Sequence, residues 1–157
     1  MGINRPSLYA AFGNKASLFR QVLARYRAGP ASHLAEALAE PTARAVAERA
    51  LLGTIEMLCD ARNPRGCLAV QGALACGDDA DCARRALVAF RESGVKALQA
   101  RFARARAEGD LPRGADPADL ARYIATVIHG MSVQAAGGAN RAQLRRVARL
   151  AMRAWPE

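Results

Sequence analysis

The chain has 157 residues, enough for one domain with a substantial core. Hydrophobic residues make up 52% and charged residues 24%, so the composition excludes general disorder, and no uncharged apolar stretch could span a membrane. Aromatic residues are only 5%, while alanine is abundant and glycine and proline fall where helices would end, so we expect an all-α fold. Residues 1–6 lack the apolar segment of a signal peptide, and the four cysteines have no secretory context, which predicts a reduced, cytoplasmic protein.

Helical periodicity continues along nearly the whole chain and is interrupted by glycine, proline and capping residues. Gly13 ends the first helix and Asn14 caps the second. Asp78 or Asp79 is the expected cap of the longest helix, and Asn140 that of the last one. The predicted helices cover, in chain order, about 5–12, 15–28, 31–39, 41–61, 67–76, 80–108, 117–136 and 141–155.

The positive charge is concentrated near the N-terminus. Of the formal net charge of +9, residues 1–35 contribute +5, because no acidic residue precedes Glu36. Such a basic segment attracts phosphate polymers and releases their counterions, which favours a nucleic-acid partner. The alternative is a solvated helix face in a chain whose basic residues are nearly all arginine.

The first predicted helix is too short to be stable alone, so it must dock on a neighbour. Leu8 and Phe12 lie one turn apart and would face a core, which leaves Arg5, Ser7 and Tyr9 on the opposite side. A cation and two hydroxyls beside small side chains suit a helix that enters the major groove of DNA. The alternative is an ordinary corner between two helices with an exposed tyrosine.

Lys15 begins the following helix, where it could hold a phosphate beside free backbone N–H groups. The run of residues 2–15, GINRPSLYAAFGNK, closely resembles the tetracycline-repressor-like (TetR/AcrR) family. It matches the turn, the recognition helix and the start of the next helix in that family's helix-turn-helix. The resemblance continues more loosely downstream, at residues 66–68, at 107–111 and around Gly130.

This resemblance implies a partial helix-turn-helix over residues 1–28, followed by a helical ligand-binding and dimerisation domain over 29–157. It implies a homodimeric DNA-binding transcriptional regulator, a repressor that is released from operator DNA by a small molecule. The mechanism would be a shift of population between two spacings of the paired recognition helices. The residues that would contact DNA are Arg5, Ser7, Tyr9 and Lys15.

Two departures from the family pattern bear on DNA binding. Position 16 is alanine where many members carry glutamate, and the family has two helices before the position of Gly2. Without the first helix of the motif, Leu8 and Phe12 lose their cover, although burial of each would contribute roughly 1.5–3 kcal/mol. We therefore expect the chain as written to bind operator DNA poorly, and the alternative function is that of a DNA-inactive, truncated sensing and dimerising fragment.

The remaining helices would form the regulatory body. The apolar stripes of the last two helices predict a four-helix dimer interface, with Ile124, Val127, Ile128, Leu144, Val147, Ala151 and Trp155 at the contact. A ligand pocket is expected among the helices between 41 and 131. Its candidate lining residues are Met57, Gln71, Phe90, Phe102, His129 and Met131.

Two other functions are weighed against this one. A thiol sensor would use the cysteines, of which Cys76 and Cys82 flank a single turn, but the cysteine spacing matches no zinc site and the chain has only two histidines. An enzyme is not expected, because the sequence contains no glycine-rich phosphate loop and no nucleophile elbow. No cofactor or metal is predicted.

Overall fold

The computed structural model describes residues 5–74 and 81–156, excepting the side chains of Arg5, Leu8, Tyr9, Lys15, Ala73 and Leu74. All regular structure in these residues is helical, which confirms the all-α prediction. The helices are α1 (Arg5–Phe12), α2 (Lys15–Ala28), α3 (His33–Leu38), α4 (Ala43–Leu58), α5 (Leu68–Leu74), α6 (Asp81–Ala107), α7 (Pro117–Ala136) and α8 (Arg141–Arg153). Among the residues described, no helix is long and apolar enough to cross a membrane.

The helix limits follow the capping residues. Asn14 and Asn140 cap α2 and α8 as predicted, and their side-chain oxygens accept first-turn N–H groups at 2.9 and 3.0 Å. Helix α4 begins later than predicted because its cap is the side chain of Thr42, whereas Pro41 lies outside the helix. Three residues singled out in the sequence lie outside the described part of the chain: Cys76, Asp78 and Asp79.

The main core lies between α4, α6, α7 and α8. Leu51, Ile55 and Ile124 are fully buried there, as the three- and four-residue spacing of the apolar positions requires. Phe102 is also fully buried, and its ring stands edge-on to that of Trp155 with the centroids 5.3 Å apart. These four helices therefore form the body on which α2, α3 and α5 pack.

A smaller apolar cluster attaches α2 to this body. Leu23 of α2 is only 7% exposed and packs with Ala69 of α5 and Leu87 of α6. Phe19 and Phe90 are partly buried around the same contact. Helix α2 is thus anchored on α5 and α6, and α1 packs on α2.

Helix α1 contacts no described helix other than α2. Gly13 joins the two helices with φ at +82°, a left-handed conformation that favours glycine. Phe12 is expected to lie on the core-facing side of α1 without a helix to cover it. Its side chain is 37% exposed, because α2 alone does not enclose it. Leu8, expected on the same face, has its side chain outside the description.

The structure corrects the proposed dimer contact. Four of its seven residues face the core of their own subunit and are at most 6% exposed: Ile124, Leu144, Ala151 and Trp155. Val127 and Ile128 are partly buried against the same core, whereas Val147 is 42% exposed. Most of each apolar stripe holds α7 and α8 on the other core helices, and of the seven residues only Val147 is exposed. The surface that the two helices present to solvent is the α7–α8 outer face, which keeps Val147 and adds Thr126, Gly130, Val133 and Leu150.

Candidate functional site

The N-terminal helix pair presents small and basic side chains to solvent. Ser7, Ala10 and Ala11 of α1 are exposed, as are Arg20 and Arg25 of α2. Small side chains let a helix approach base edges closely, and exposed arginines can reach phosphates. The side chains of the other three candidate DNA contacts lie outside the description: Arg5, Tyr9 and Lys15.

A partly enclosed, mostly apolar cavity of about 230 Å³ lies where α2 to α7 converge. Helix α2 supplies Tyr26 and Arg27, α3 supplies His33, and α7 supplies His129. The cavity lies at the junction between the core helices and the helix that carries α1. Its apolar wall includes Leu34, Leu38, Met57, Val70, Phe90 and Ile128.

Tyr26 brings α2 into the wall of this cavity. Its hydroxyl donates to Cys67 Sγ at 3.3 Å and lies 3.5 Å from Met57 Sδ. Burial, together with the neighbouring Cys67 thiol, raises the pKa of the Tyr26 phenol well above its usual value, so the group remains a proton donor at neutral pH. Sulfur is a weak acceptor, so an oxygen-bearing ligand could compete for this donor.

Two histidines supply the other polar groups of the cavity. His33 Nε2 lies 3.1 Å from Thr54 Oγ1, and the Thr54 hydroxyl donates to the carbonyl of Ala50 at 2.8 Å. Because the single Thr54 proton is used in this way, the first bond needs a proton on His33 Nε2, whereas the Pro30 carbonyl, 3.4 Å from Nδ1, needs one on Nδ1. A neutral ring donates to only one of these two acceptors. The His129 ring has no hydrogen-bond partner in the described part of the chain. Burial lowers the pKa of both imidazoles, and the positive charge of Arg91 lowers that of His129 further.

Two arginines border the cavity without a carboxylate partner in residues 5–74 and 81–156. The Arg27 guanidinium lies 4.6 Å from the centroid of the Phe90 ring and donates to Ser93 Oγ at 2.7 Å. Arg91 is half-buried, and its Nη1 donates to the carbonyl of Ala69 at 2.7 Å. The described lining contains two arginines and no aspartate or glutamate, and Glu36, Glu56 and Glu92 act on its histidines from outside the lining.

Of the six candidate ligand-binding residues, Met57, Phe90 and His129 line this cavity. The structure corrects the other three. Phe102 and Met131 are buried in the main core at 0% and 1% exposure and do not line the cavity. Gln71 lies over Gly66, where its side chain fills the space that a Cβ atom would need.

Sequence reasoning missed several cavity residues, which come from α2, α3, α6 and the position just before α5. Tyr26 has a detectable signal, since it lies on the apolar face of its helix but ends in a hydroxyl that needs a partner. His33, Cys67 and Arg91 have no comparable local signal, because only the packing of four helices brings them together.

A second, more open groove of about 930 Å³ lies between α4 and α8. The row formed by Arg141, Arg145, Arg149 and Arg153 borders it, and in the described residues none of these four has an ion-pair partner. Helix α8 contacts only α4 and α7 among the described helices, so this row is remote from α1 and α2. We treat it as a solvated face that provides matched control positions.

A short, exposed pair of helices mounted on an all-helical body with an internal cavity is the architecture of a helix-turn-helix transcriptional regulator. Residues 44–152 match the family model described as "Tetracyclin repressor-like, C-terminal domain". The chain therefore belongs to the TetR family of transcriptional regulators.

The similar proteins are regulators of this family rather than enzymes. The chain is 30% identical to the HTH-type transcriptional repressor ComR of Escherichia coli (strain K12), over 99% of this chain and 75% of that protein. It is 39% identical to the TetR family regulator CifR in a cysteine mutant complexed with 26-bp operator DNA, with a TM-score of 0.91 over 98% of this chain and 81% of that one. A putative TetR regulator from Rhodococcus sp. RHA1 is 41% identical, with a TM-score of 0.71 over 99% of this chain and 84% of that one.

Proposed function

We propose that this protein is a transcriptional repressor that holds operator DNA through α1 and releases it when a small molecule occupies the cavity beside Tyr26. The observation that carries the proposal is the double role of α2. At one end it packs against α1, and near the other end it contributes Tyr26 and Arg27 to the cavity wall. A ligand that moves these two side chains therefore moves the helix on which the reading helix is mounted.

Operator binding would require two copies of the chain. A palindromic operator is read by two recognition helices about 34–36 Å apart, so the regulatory bodies must hold them at that spacing. The α7–α8 outer face is the surface available for this dimer, because it combines the exposed Val133, Val147 and Leu150 with the small Gly130. Ligand binding would favour a dimer in which the spacing no longer fits one DNA turn.

Several features support DNA contact by α1 and α2. Ser7, Ala10 and Ala11 of α1 are small and exposed, and Arg20 and Arg25 of α2 face solvent. The similar regulator CifR forms a complex with double-stranded operator DNA. We infer that Ser7 and Arg5 approach the base edges or the adjoining phosphates, and that Tyr9 and Lys15 bind backbone phosphate.

The decisive experiment is a fluorescence anisotropy titration of the full chain with labelled duplexes tiled over the DNA upstream of its own gene. We expect one duplex to bind at least tenfold tighter than a scrambled duplex. Lys15→Ala should weaken binding and reduce the slope of log K against log salt by about one, because one phosphate contact is lost. Arg145→Ala is the matched control on α8 and should leave both quantities unchanged. Equal effects of the two substitutions would overturn the assignment of α1 and α2.

The exposure of Phe12 favours a second candidate function. If the 157 residues act alone as a sensing and dimerising unit, DNA binding would need a further helix against Phe12 and Leu8. The same titration with a version extended upstream separates the two possibilities. Tight, salt-dependent binding by the extended version only would support the second candidate, and equally tight binding by both would exclude it.

A further inference from the structure

We propose that the ligand of the cavity is a small organic anion, with an apolar body and a single carboxylate or similar group that pairs with Arg91 and Arg27. This inference rests on the proposed function and specifies which class of molecule would release the DNA. The relevant observations are the two arginines, the absence of acidic side chains from the described lining, and the polar groups that have poor partners.

Arg91 carries most of the argument. It is half-buried, and its guanidinium donates to a neutral acceptor, the carbonyl of Ala69. The charge of Glu92 acts on Arg91, but that carboxylate is hydrogen-bonded to Arg122 at 2.8 Å, so Arg91 has no carboxylate of its own within ion-pair distance among the described residues. An anion in the cavity would supply that partner. By contrast, Arg49, which is partly buried, and the exposed Arg62 and Arg122 have carboxylate partners at 2.8–2.9 Å.

Arg27 places a second guanidinium at the rim of the same cavity. It stacks on Phe90 and donates to Ser93, and both partners are neutral. Together the two arginines give the described lining a formal charge of +2, and the carboxylates that act on it, Glu92 near Arg91 and His129 and Glu36 and Glu56 near His33, lie outside the lining. Such a field attracts an anion, is indifferent to a neutral molecule and repels a cation.

The remaining polar groups can complete an oxygen-binding site. The Tyr26 hydroxyl donates only to sulfur, and the His129 imidazole has no hydrogen-bond partner among the described residues. Both can donate to a carboxylate oxygen, which is a stronger acceptor than sulfur. The remainder of the lining, including Met57, Phe90 and Ile128, is apolar and suits a hydrocarbon or aromatic body.

Isothermal titration calorimetry with three probes of nearly equal shape tests the proposal: 4-phenylbutanoate, 4-phenylbutanamide and 4-phenylbutylamine. We expect the carboxylate to bind at least tenfold tighter than the amide, and the amine to bind more weakly than either. Arg91→Met should abolish the preference for the carboxylate, while Arg91→Lys, which keeps the charge, should retain part of it. Arg145→Met, which removes a guanidinium from the unpaired row on α8, should change nothing.

A carboxylate that binds no tighter than the amide, or a preference that survives in Arg91→Met, would overturn the proposal. So would failure of all three probes to bind a protein whose thermal unfolding is normal. The repressor proposal is tested separately, because the operator titration uses none of these probes. If a neutral molecule released the operator DNA, the repressor proposal would be kept and the proposal of an anionic ligand would be wrong.

Discussion

The guanidinium of Arg101 donates to the main-chain carbonyl of Glu40, with 2.8 Å between Nη2 and the oxygen. The same nitrogen lies 2.9 Å from the carbonyl of Pro41. Arg101 is only 5% exposed, and its Nε and Nη1 atoms have no partner in the described residues. A buried cation of α6 therefore binds the connection between α3 and α4 through neutral oxygens.

We expect Arg101→Met to lower the free energy of unfolding by about 1–3 kcal/mol, because the two carbonyl groups lose a charged donor. Arg101→Lys should recover part of the loss. Arg104→Met removes an exposed arginine one turn along α6, whose ion pair with Glu108 is weak, and should cost less than about 0.5 kcal/mol. Urea denaturation measures all three changes. A methionine variant as stable as the parent would mean that dehydration of the cation cancels its hydrogen bonds.

Two methionines test the boundary between core and cavity. Met131 is 1% exposed in the main core, so Met131→Ala should cost about 2–5 kcal/mol by leaving a void. Met57 is partly exposed at the cavity wall, so Met57→Ala should cost less and should change the affinity for cavity ligands. Denaturation and calorimetry on both variants distinguish the two roles. Equal losses of stability would place Met57 in the core as well.

The α7–α8 outer face is where we propose that two copies of the chain meet. Leu150 is 61% exposed in the single chain, and Leu150→Glu should convert the dimer to a monomer in sedimentation velocity experiments. Leu52 is also an exposed leucine, at 38%, but it lies in the groove between α4 and α8. Leu52→Glu should therefore leave the dimer intact. Dissociation by Leu52→Glu alone would move the interface to that groove.

Gly130 supplies an independent test of the same face. It lies inside α7, where glycine costs up to about 1 kcal/mol relative to alanine, and an added Cβ atom would meet nothing within 4 Å in the single chain. Its small size is therefore not required by the subunit itself. Gly130→Ala should stabilise the monomer but weaken a dimer in which the partner helix approaches closely. An alanine variant that dimerises as tightly as the parent would show that no such close approach occurs at Gly130.

Stability should depend on pH through His33 and His129. Burial lowers the pKa of both imidazoles from the ordinary value of 6.5, so the unfolded chain binds protons that the folded chain does not. The free energy of unfolding should therefore fall as the pH falls through 6.5, and should be fully recovered above it. Urea denaturation at pH 7.5, 6.5 and 5.5 measures the slope. His129→Gln should flatten it, and an unchanged slope would mean that this histidine does not contribute.

The capping residues and the helical period determined the helices from sequence alone. Asn14 and Asn140 act over three residues, and Gly13 imposes its turn through its own backbone, so these signals are local and readable, whereas the cap at Thr42 was missed in favour of Pro41. The basic N-terminus and the run of residues 2–15 indicated the family by the same local means. Period alone also identified the apolar stripes of α7 and α8.

Only the tertiary structure decided what those stripes face. By their helical period, Ile124 and Leu144 fit a dimer interface and a subunit core equally well, because burial within the subunit and burial against a partner require the same apolar side chains. Packing on the other core helices places both residues in the core of the subunit. The cavity depends on residues far apart in sequence, because Tyr26, Cys67 and His129 line it together only after α2 to α7 have packed. Local signals determine where helices begin and end, whereas a binding site depends on distances between helices that no local signal contains.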